Sequence, residues 1–486
     1  MKTTVSPVPL SVLLKVAKES VDLKEDPLIR GLSYDSRKVR EGDLFFAMKG
    51  AQSDAHDHLS EVIKKGGVAA IVERGVSASI PLIQTTSVLK KMSKMASRFY
   101  QNPTKKVKVI GVTGTNGKTT ITYILENIFR SIGEKCGVLG TINYRVDDQS
   151  FLAPNTTPMS IDIHQFAHGL HQKGISHLVM EVSSHALELH RVDDVSFFCG
   201  IFTNLTQDHL DFHSTMENYF HAKLKLFEHL PDEKIVVNID DPYGKKIAQK
   251  YPNCLRFGQG SQAQIKACEP RWDLKGVQFD LRFPSGQSYP VKTNLIGRHN
   301  ISNLLASAGG GVVCGLNENQ IVDGLNQSHT IPGRFERVEA GQQFVVVIDY
   351  AHTPDALGKA LDALRDVNPQ RLICVFGAGG DRDKRKRPLM GKIATQKADM
   401  VILTSDNPRT EDPSQILKDI EAGIIEDGKS NYSIMENREK AIFYGIGMAK
   451  EKDIVLIAGK GHENYQIYGK EKTTFSDQEV AHRALV

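Results

Sequence analysis

Short apolar runs alternate with helix-like polar stretches along most of the chain. The runs GVAAIVE (67–73) and PLIQTT (81–86) indicate strands near the N-terminus. Later strand candidates of the same kind are 177–182, 199–204, 234–239, 344–349, 371–376, 399–404 and 453–458. Strands that alternate with helices favour parallel sheets covered by helices. The pattern therefore predicts an α/β protein.

The segment KVKVIGVTGTNGKTTITYILENIF joins an apolar strand to an amphipathic helix through a glycine-rich loop. Gly114 and Gly117 permit a tight path whose backbone N–H groups can surround phosphate oxygens. Lys118 adds a positive charge, and the hydroxyl of Thr119 can ligate Mg²⁺. Gly111 lies one residue too early for the usual GxxxxGK[ST] spacing, and an ordinary glycine turn is the alternative. Strand, loop, Lys-Thr pair and helix together favour a phosphate-binding loop.

Changes in pattern divide the chain into three predicted domains, residues 1–104, 105–331 and 332–486. A length of 486 residues suits two or three domains. We expect a small N-terminal α/β domain, a central P-loop-type parallel-sheet ATPase domain and a C-terminal Rossmann-like domain. The last assignment follows because four strand candidates there run into polar or glycine-rich residues, as in doubly wound sheets.

Composition narrows the broad class. Hydrophobic residues make up 40% and charged residues 24%, and no segment approaches the roughly 20 apolar residues of a membrane span. A net charge of +4 gives no general case for nucleic-acid binding. The N-terminus lacks a convincing signal-peptide cleavage site, which predicts a cytoplasmic protein. The six cysteines show no metal-site spacing and are expected to be buried free thiols.

Polar clusters in the central block are candidates for nucleotide chemistry. Glu181 ends a strand candidate, where a magnesium ligand or an activating carboxylate can lie. The segment TNLTQDHLDFH (203–213) groups acidic residues with histidines, and a polar loop with helix-capping aspartates explains it equally well. The segment 217–227 has a helical pattern. Within it, Lys223 considered alone is typical of a solvated lysine.

In the last block, DYAHTPDAL, GAGGDRDKRKRP, SDNPRTEDP and AGKGHE each follow a strand candidate. A surface charge run explains KRKR. It does not explain four polar loops at four strand ends, which is where open α/β sheets bind their ligands. The loops therefore predict a ligand site in the last domain.

Together with GLSYDSRKVREGDLFFAMKG (31–50), NTTP (155–158), GRHNISN (297–303) and PGRFE (332–336), these motifs resemble the Mur ligase family over nearly the whole chain. The resemblance implies an ATP-dependent ligase of cytoplasmic peptidoglycan precursor synthesis. It would phosphorylate the D-glutamate γ-carboxylate of UDP-N-acetylmuramoyl-L-alanyl-D-glutamate and capture the acyl phosphate with meso-2,6-diaminopimelate. The implied cofactor is Mg²⁺, with ATP as co-substrate, and a monomer is expected.

The resemblance also implies roles for individual residues. The nucleotide would contact Gly114, Thr115, Asn116, Gly117, Lys118, Thr119, Thr120, Asn300, Arg334, Asp349 and His352. The catalytic residues would be Lys118, Glu181, His209 and Lys223. Lys223 matches a lysine that this family carbamylates, which reverses its interpretation as a solvated lysine. The implied magnesium ligands are Thr119, Glu181, His209 and the modified Lys223.

Two further sets of residues would bind the other substrates. The UDP-muramoyl dipeptide would contact Asn155, Thr156, Thr157, Ser183, Leu189 and Arg191. Its uridine nucleotide would contact Tyr34, Ser36, Ala51, Gln52 and Ser53. Diaminopimelate would contact Arg382, Asp406, Asn407, Pro408, Arg409, Gly459 and Glu463. Diaminopimelate has one carboxylate more than lysine, and an arginine can bind a carboxylate through two N–H donors. Arg409 in the intact DNPR motif is therefore the expected selector.

Three alternatives stay open at this point. A lysine-adding Mur ligase would be similar elsewhere but would differ at DNPR. A folylpolyglutamate synthetase-type ligase would share the phosphate loop and the reaction but not the N-terminal block. A nucleotide-regulated binding protein would release no phosphate with any amino acid.

Overall fold

The computed structural model describes residues 5–19, 25–50, 53–147 and 149–486. The chain forms two compact units, each assembled from separate stretches. The first contains the described residues up to Thr113, together with Gly133–Gly200 and Ala222–Leu230. The second contains Gly114–Ile132, Ile201–His221 and Pro231–Val486. The domain boundaries at residues 104 and 331 stay a prediction.

The N-terminal part of the first unit has a parallel sheet in the order Gly31–Ser33, Asp43–Phe46, Ala69–Val72 and Leu82–Gln84. Alternate strand residues pack into different cores, Phe46 with Met92 and Phe45 with Val62. A parallel sheet is covered on both faces in this way. The other elements of this part are the strand pair Val8–Pro9 and Leu28–Ile29, the helices Leu10–Val16, Leu59–Lys64 and Val88–Phe99, and the 3₁₀ helices Ser36–Lys38, Ala55–His58 and Pro103–Lys105.

A second sheet region of the first unit has the strand order Gln149–Leu152, Asn143–Val146, Cys136–Leu139, His177–Glu181 and Lys108–Thr113. The last three strands are parallel, and Thr113 donates a hydrogen bond to the Val182 carbonyl (2.8 Å). Thr113 and Glu181 therefore lie at the same carboxyl edge of the sheet. The remaining elements are the helices Ser160–Gln172 and Ser184–Glu188 and the 3₁₀ helix Lys225–Phe227. The strand predicted at 199–204 is Phe197–Phe202, whose end belongs to the second unit.

The second unit begins with the helix Lys118–Ser131, whose apolar residues Ile121, Ile124 and Ile128 are buried. This helix packs against His299–Cys314 and Glu318–Asn326. Nearby elements are the parallel strands Ile235–Asn238 and Leu255–Phe257, and the helices Leu210–His213, Asp232–Lys234 (3₁₀) and Pro242–Lys250. The helix Met216–Leu224 also starts in this unit, but its residues from Ala222 onwards belong to the first unit. An antiparallel sheet of Lys266–Asp273, Gly276–Arg282 and Ser288–Thr293 was not predicted from the sequence. Its solvent-facing residues are polar and interrupt the apolar signal.

The C-terminal part of the second unit has the strand order Glu336–Val338, Val345–Asp349, Ile454–Ala458, Leu372–Phe376, Met400–Leu403 and Tyr432–Ile434. Every described pairing is parallel except that of Glu336–Val338. The helices are Pro354–Arg365, Lys386–Lys397, Pro413–Glu426, Arg438–Gly447 and Asp477–Leu485, and a hairpin joins Tyr465–Tyr468 to Glu471–Thr474. Leu456 and Val455 pack into cores on opposite faces. The expected doubly wound sheet is confirmed, with polar loops after four strands.

The structure bears on two expectations from composition, the burial of the cysteines and the character of the helices. Five cysteines are buried free thiols as predicted, but Cys268 is only partly buried because it lies in the antiparallel sheet beside a register shift. Within the described residues, the helices include none with the length and apolar character needed to cross a membrane.

Candidate active site

The glycine-rich loop has the backbone that its sequence predicts. Gly114 and Gly117 have φ values of 144° and 90°, in a region that side chains rarely adopt. A Cβ atom at Gly117 would lie 2.4 Å from Oδ1 of Asn303. The helix Lys118–Ser131 starts immediately afterwards, and Gly117 at its N-cap offers no side chain to the first N–H groups. These groups and the helix dipole favour an anion at this end.

The segment TNLT (203–206) forms hydrogen bonds with this loop. The Thr203 hydroxyl donates to the Asn116 carbonyl (2.7 Å), and the Asn116 N–H donates to Oδ1 of Asn204 (3.0 Å). The Thr115 N–H donates to the Asn204 carbonyl (2.8 Å), and its hydroxyl accepts from the Thr206 N–H (3.0 Å). The polar residues that follow the strand therefore shape the phosphate loop.

Lys118 and Arg334 place positive charge at the loop. The Lys118 ammonium donates to the carbonyls of Gly114 (2.9 Å) and Thr115 (2.7 Å). Arg334 donates from Nη2 to the Thr119 hydroxyl (3.1 Å), so the structure brings this predicted residue to the loop. Two cations next to backbone N–H groups favour a polyphosphate.

The Arg334 guanidinium lies over an aromatic ring that itself contacts two histidines. Its central carbon lies 4.7 Å from the Tyr350 ring centroid, within the range of a cation–π contact. Tyr350 in turn contacts His352 and His462, with ring centroids 4.7 and 5.1 Å away. Sequence reasoning named Arg334 and His352 but missed Tyr350 and His462. Tyr350 lies in the motif DYAHTPD and His462 in GKGHE, so the two motifs could have indicated these residues.

The other predicted nucleotide residues are buried and hydrogen-bonded within the protein. Asn300 donates to the Ile296 carbonyl and accepts from Asn303, both at 2.8 Å, and Asn303 in turn lies close to Gly117. Asp349 accepts from the N–H groups of Phe335 and Ala351, both at 2.9 Å, and burial raises the pKa of its carboxyl. Asp349 thereby fixes the backbone next to Arg334 and His352.

His209 lies in a left-handed backbone conformation with φ of 53°. Asp208 accepts from the His209 N–H (2.9 Å), and a second contact joins Nε2 of His209 to Oδ2 of Asp208 (3.3 Å). His209 itself is the N-cap of the following helix, which has no side-chain cap. The alternative of helix-capping aspartates is therefore wrong for this segment.

Glu181 and Lys223 are both almost fully buried, with 1% of each residue exposed. Glu181 accepts two hydrogen bonds from Thr141, from the N–H (2.7 Å) and from the hydroxyl (3.0 Å). The interpretation of Lys223 as a solvated lysine is wrong. A lysine ammonium is rarely buried to this extent unless it has a charged partner.

Among the predicted magnesium ligands, Thr119 and Glu181 fit the ion in their donor chemistry, whereas His209 offers an imidazole nitrogen, which Mg²⁺ favours less. The Thr119 hydroxyl and the Glu181 carboxylate are hard oxygen donors, which Mg²⁺ prefers. Among the described residues, no three His, Cys, Asp or Glu side chains are grouped as a metal site.

The central residues predicted to contact the muramoyl dipeptide lie together next to Glu181. Thr157 donates to the Glu181 carbonyl (2.9 Å) and accepts from the Ser183 N–H (3.0 Å). Arg191 donates to the Thr157 carbonyl (3.0 Å), and the hydroxyls of Thr156 and Thr141 lie within hydrogen-bond distance of each other (3.1 Å). The buried Nε of Arg191 has no hydrogen-bond partner, which leaves a donor for an anionic substrate group.

The remaining residues of this set are placed as follows. The Asn155 carbonyl accepts from Tyr144 (2.7 Å), and Leu189 ends the helix Ser184–Glu188. Tyr34 donates to Asp162 (2.7 Å), and Ser36 donates to Glu61 (3.1 Å). Ser53 is exposed and its carbonyl accepts from Gly50. Ala51 and Gln52 lie outside the described residues.

The loops after the C-terminal strands bring the predicted diaminopimelate residues together. Asn407, which precedes Pro408, donates to Glu463 (2.8 Å), and Lys460 donates to the same carboxylate (2.9 Å). Asp406 lies beside Gly459, and Arg409 and Arg382 both lie next to Gly379. The pKa of Asp406 is lower than usual, because the effect of positive neighbours led by Lys460 outweighs the effect of burial, which would raise it. The loops therefore combine acidic and basic groups, as an amino acid requires. Lys460 was missed by sequence reasoning, although it lies in GKGHE.

The phosphate loop and the polar strand ends define a nucleotide-binding α/β enzyme. Three family descriptions match in succession: Mur ligase family, catalytic domain, over residues 28–108; Mur ligase middle domain over 112–310; and Mur ligase, glutamate ligase domain, over 333–461. The chain belongs to the Mur ligase family.

Similar proteins are related over nearly their whole length. UDP-N-acetylmuramoyl-L-alanyl-D-glutamate–2,6-diaminopimelate ligase from Geobacillus kaustophilus is 43% identical over 473 residues, which are 95% of each chain. A solved structure of a ligase with the same name has a TM-score of 0.68 and 32% identity, and 99% of each chain is covered. The MurF ligase from Thermotoga maritima, solved with ADP, has a TM-score of 0.67 and 21% identity over 89% of this chain and 94% of its own. At that identity it shows the fold alone.

Proposed function

We propose that this protein adds meso-2,6-diaminopimelate to the D-glutamate γ-carboxylate of UDP-N-acetylmuramoyl-L-alanyl-D-glutamate and converts ATP to ADP and phosphate. The observation that carries the proposal is the arrangement of the intact DNPR loop. Asn407 is joined there to Glu463, and Arg409 lies beside Arg382. Acceptors for an ammonium and donors for a carboxylate then lie in one set of loops. The relatives named for this reaction support the same amino acid.

In the first step, an oxygen of the γ-carboxylate attacks the γ-phosphorus of ATP and ADP leaves. Lys118 and the N–H groups after Gly117 bind the phosphates and stabilise the charge that develops, while Arg334 adds a second cation beside Thr119. Thr119, Glu181, His209 and a carbamylated Lys223 would hold Mg²⁺, which neutralises phosphate charge when bound.

In the second step, the amine nitrogen of diaminopimelate attacks the acyl carbon, phosphate leaves, and the nitrogen loses a proton. Arg382 and Arg409 orient the amino acid by its distal carboxylate, and Asn407 and Glu463 bind its polar groups. Orientation of both reactants is the main contribution of the protein, since the acyl phosphate is already activated.

The muramoyl dipeptide is assigned to the residues around Thr157 and Arg191, and its nucleotide to the N-terminal residues Tyr34, Ser36 and 51–53. The unpartnered Nε of Arg191 supports the first assignment. We also propose that the enzyme acts in the cytoplasm as a monomer, with domains at residues 1–104, 105–331 and 332–486.

The test is formation of ADP with the UDP-muramoyl dipeptide and diaminopimelate, lysine or no amino acid. We expect ADP formation that requires both the dipeptide and diaminopimelate. A preference for lysine would identify the lysine-adding alternative, and activity with a folate and glutamate instead would identify the folylpolyglutamate type. Absence of ADP formation with every amino acid would favour a nucleotide-regulated binding protein.

A further inference from the structure

Arg387 connects the two loops that carry Arg382 and Arg409. The KRKR run was interpreted as surface charge, but the Arg387 side chain has no exposed area. Its two terminal nitrogens donate to both carboxylate oxygens of Glu411 (3.0 and 2.9 Å). Nη2 also donates to the Gly379 carbonyl (3.2 Å), three residues before Arg382. Glu411 is two residues after Arg409, so one guanidinium contacts both loops.

Glu411 extends the connection to the backbone of the first loop. The Asp381 N–H donates to Oε1 of Glu411 (2.6 Å), and the Thr410 hydroxyl donates to Oδ1 of Asp381 (2.7 Å). Asp381 has a φ of 54°, a left-handed conformation that is uncommon for residues other than glycine, although aspartate adopts it more readily than most. The hydrogen bonds with Arg387 lower the pKa of Glu411 to about 2, so its carboxylate stays charged in neutral solution.

The two loops also form hydrogen bonds with each other directly. The Gly380 N–H donates to the Asn407 carbonyl (2.9 Å), and Arg409 donates to the Gly380 carbonyl (2.7 Å). A Cβ atom at Gly380 would lie 1.8 Å from the Pro408 carbonyl oxygen, so this approach requires glycine. A shift of the 379–382 loop would therefore move the Arg409 guanidinium relative to Arg382.

We propose that Arg387, Glu411, Asp381 and Thr410 are positioning residues that set the spacing of Arg382 and Arg409 and thereby the selection of diaminopimelate. This inference rests on the proposed function. The four residues act through the two arginines. Substitutions that remove the hydrogen bonds among these four residues should weaken recognition of the distal carboxylate. They should leave ATP binding unchanged, since the phosphate loop lies on other elements.

Asp419 provides a matched control for Glu411. It accepts from the same guanidinium (2.8 Å) but lies in the helix Pro413–Glu426, outside both loops. We expect Glu411→Gln to raise the KM for diaminopimelate about ten-fold or more and to lower the preference for diaminopimelate over lysine, with the KM for ATP changed less than about two-fold. Asp419→Asn should leave all three quantities near those of the unmodified enzyme.

Thr410→Val tests the same connection at an exposed residue, where folding is not at risk. It should raise the KM for diaminopimelate without changing the KM for ATP, and Thr410→Ser, which keeps the hydroxyl, should restore it. An unchanged KM for diaminopimelate in Thr410→Val and in folded Glu411→Gln enzyme would overturn the positioning role alone. If the unmodified enzyme forms no ADP in response to diaminopimelate, the proposed function fails and this inference fails with it.

Discussion

The side-chain amide of Asn116 donates a hydrogen bond of 2.8 Å to Oδ2 of Asp355, a residue 239 positions further along the chain. The same oxygen accepts from the Thr206 hydroxyl (3.1 Å) and from Lys359 (2.9 Å). Asp355 is the last residue of the DYAHTPD motif and the second residue of the helix Pro354–Arg365. The phosphate loop is thus fixed by a carboxylate from the C-terminal part of the second unit.

Removing that carboxylate should loosen the loop. We expect Asp355→Ala to raise the KM for ATP about five-fold, which corresponds to the roughly 1 kcal/mol that a hydrogen bond contributes. Asp362→Ala is the control, because Asp362 lies on the same helix and pairs with Lys397 instead. Steady-state kinetics with varied ATP would measure both. Equal KM values for ATP in the two variants would contradict a role of Asp355 in shaping the loop.

If Lys223 holds Mg²⁺ as a carbamate, as proposed, Lys223→Ala should lower turnover about 100-fold or more, because the charge that develops in phosphoryl transfer loses its stabilisation. Small carboxylic acids should restore part of the activity if the missing group is a carbamate. Lys225→Ala should retain normal activity, since Lys225 is partly exposed and pairs with Glu188. Near-normal turnover of Lys223→Ala would refute the carbamate proposal.

If Arg409 is the selector, as proposed, Arg409→Ala should raise the KM for diaminopimelate about 100-fold, because a bidentate bond to the distal carboxylate is worth a few kcal/mol. The KM for ATP should stay unchanged. Arg385→Ala is the control, since Arg385 belongs to the neighbouring basic run but is largely exposed and pairs with Asp383. An unaltered apparent affinity for diaminopimelate would remove Arg409 from the selector role.

His164 should make the protein less stable in acid. Both of its ring nitrogens are buried without hydrogen-bond partners, and burial lowers the pKa of His164 from 6.5 to about 3. The folded state favours neutral His164, whereas the unfolded chain binds a proton there below pH 6.5. The lowered pKa therefore stabilises the folded state fully above pH 6.5, and this stabilisation decreases as the pH falls from 6.5 towards about 3. The loss is about 1.4 kcal/mol per pH unit for one such group.

Urea unfolding of the unmodified protein and of His164→Phe, each at about pH 7.5 and pH 5, would measure this effect. The variant should lose less stability between the two pH values. An identical loss in both proteins would show that His164 does not contribute.

Much of the fold was predictable from local patterns. The strand candidates 344–349, 371–376, 399–404 and 453–458 correspond to observed strands within a residue or two. The candidate at 199–204 was placed two residues late, because Thr203 and Asn204 bond to the phosphate loop and do not continue the strand. The local pattern does not show whether the last residues of such a run continue the strand or form hydrogen bonds with a neighbouring loop.

The sequence by itself determined the α/β class, the phosphate loop and the motifs that indicate a Mur ligase, because periodicity and glycine conformation are local properties of the chain. Only the tertiary structure decided that Lys223 is buried, that Arg387 differs from its exposed neighbour Arg385, and that Asn116 is bonded to Asp355. Burial and hydrogen-bond partners depend on segments that lie far apart in sequence, and a run such as KRKR has the same local pattern whether its residues face water or the core.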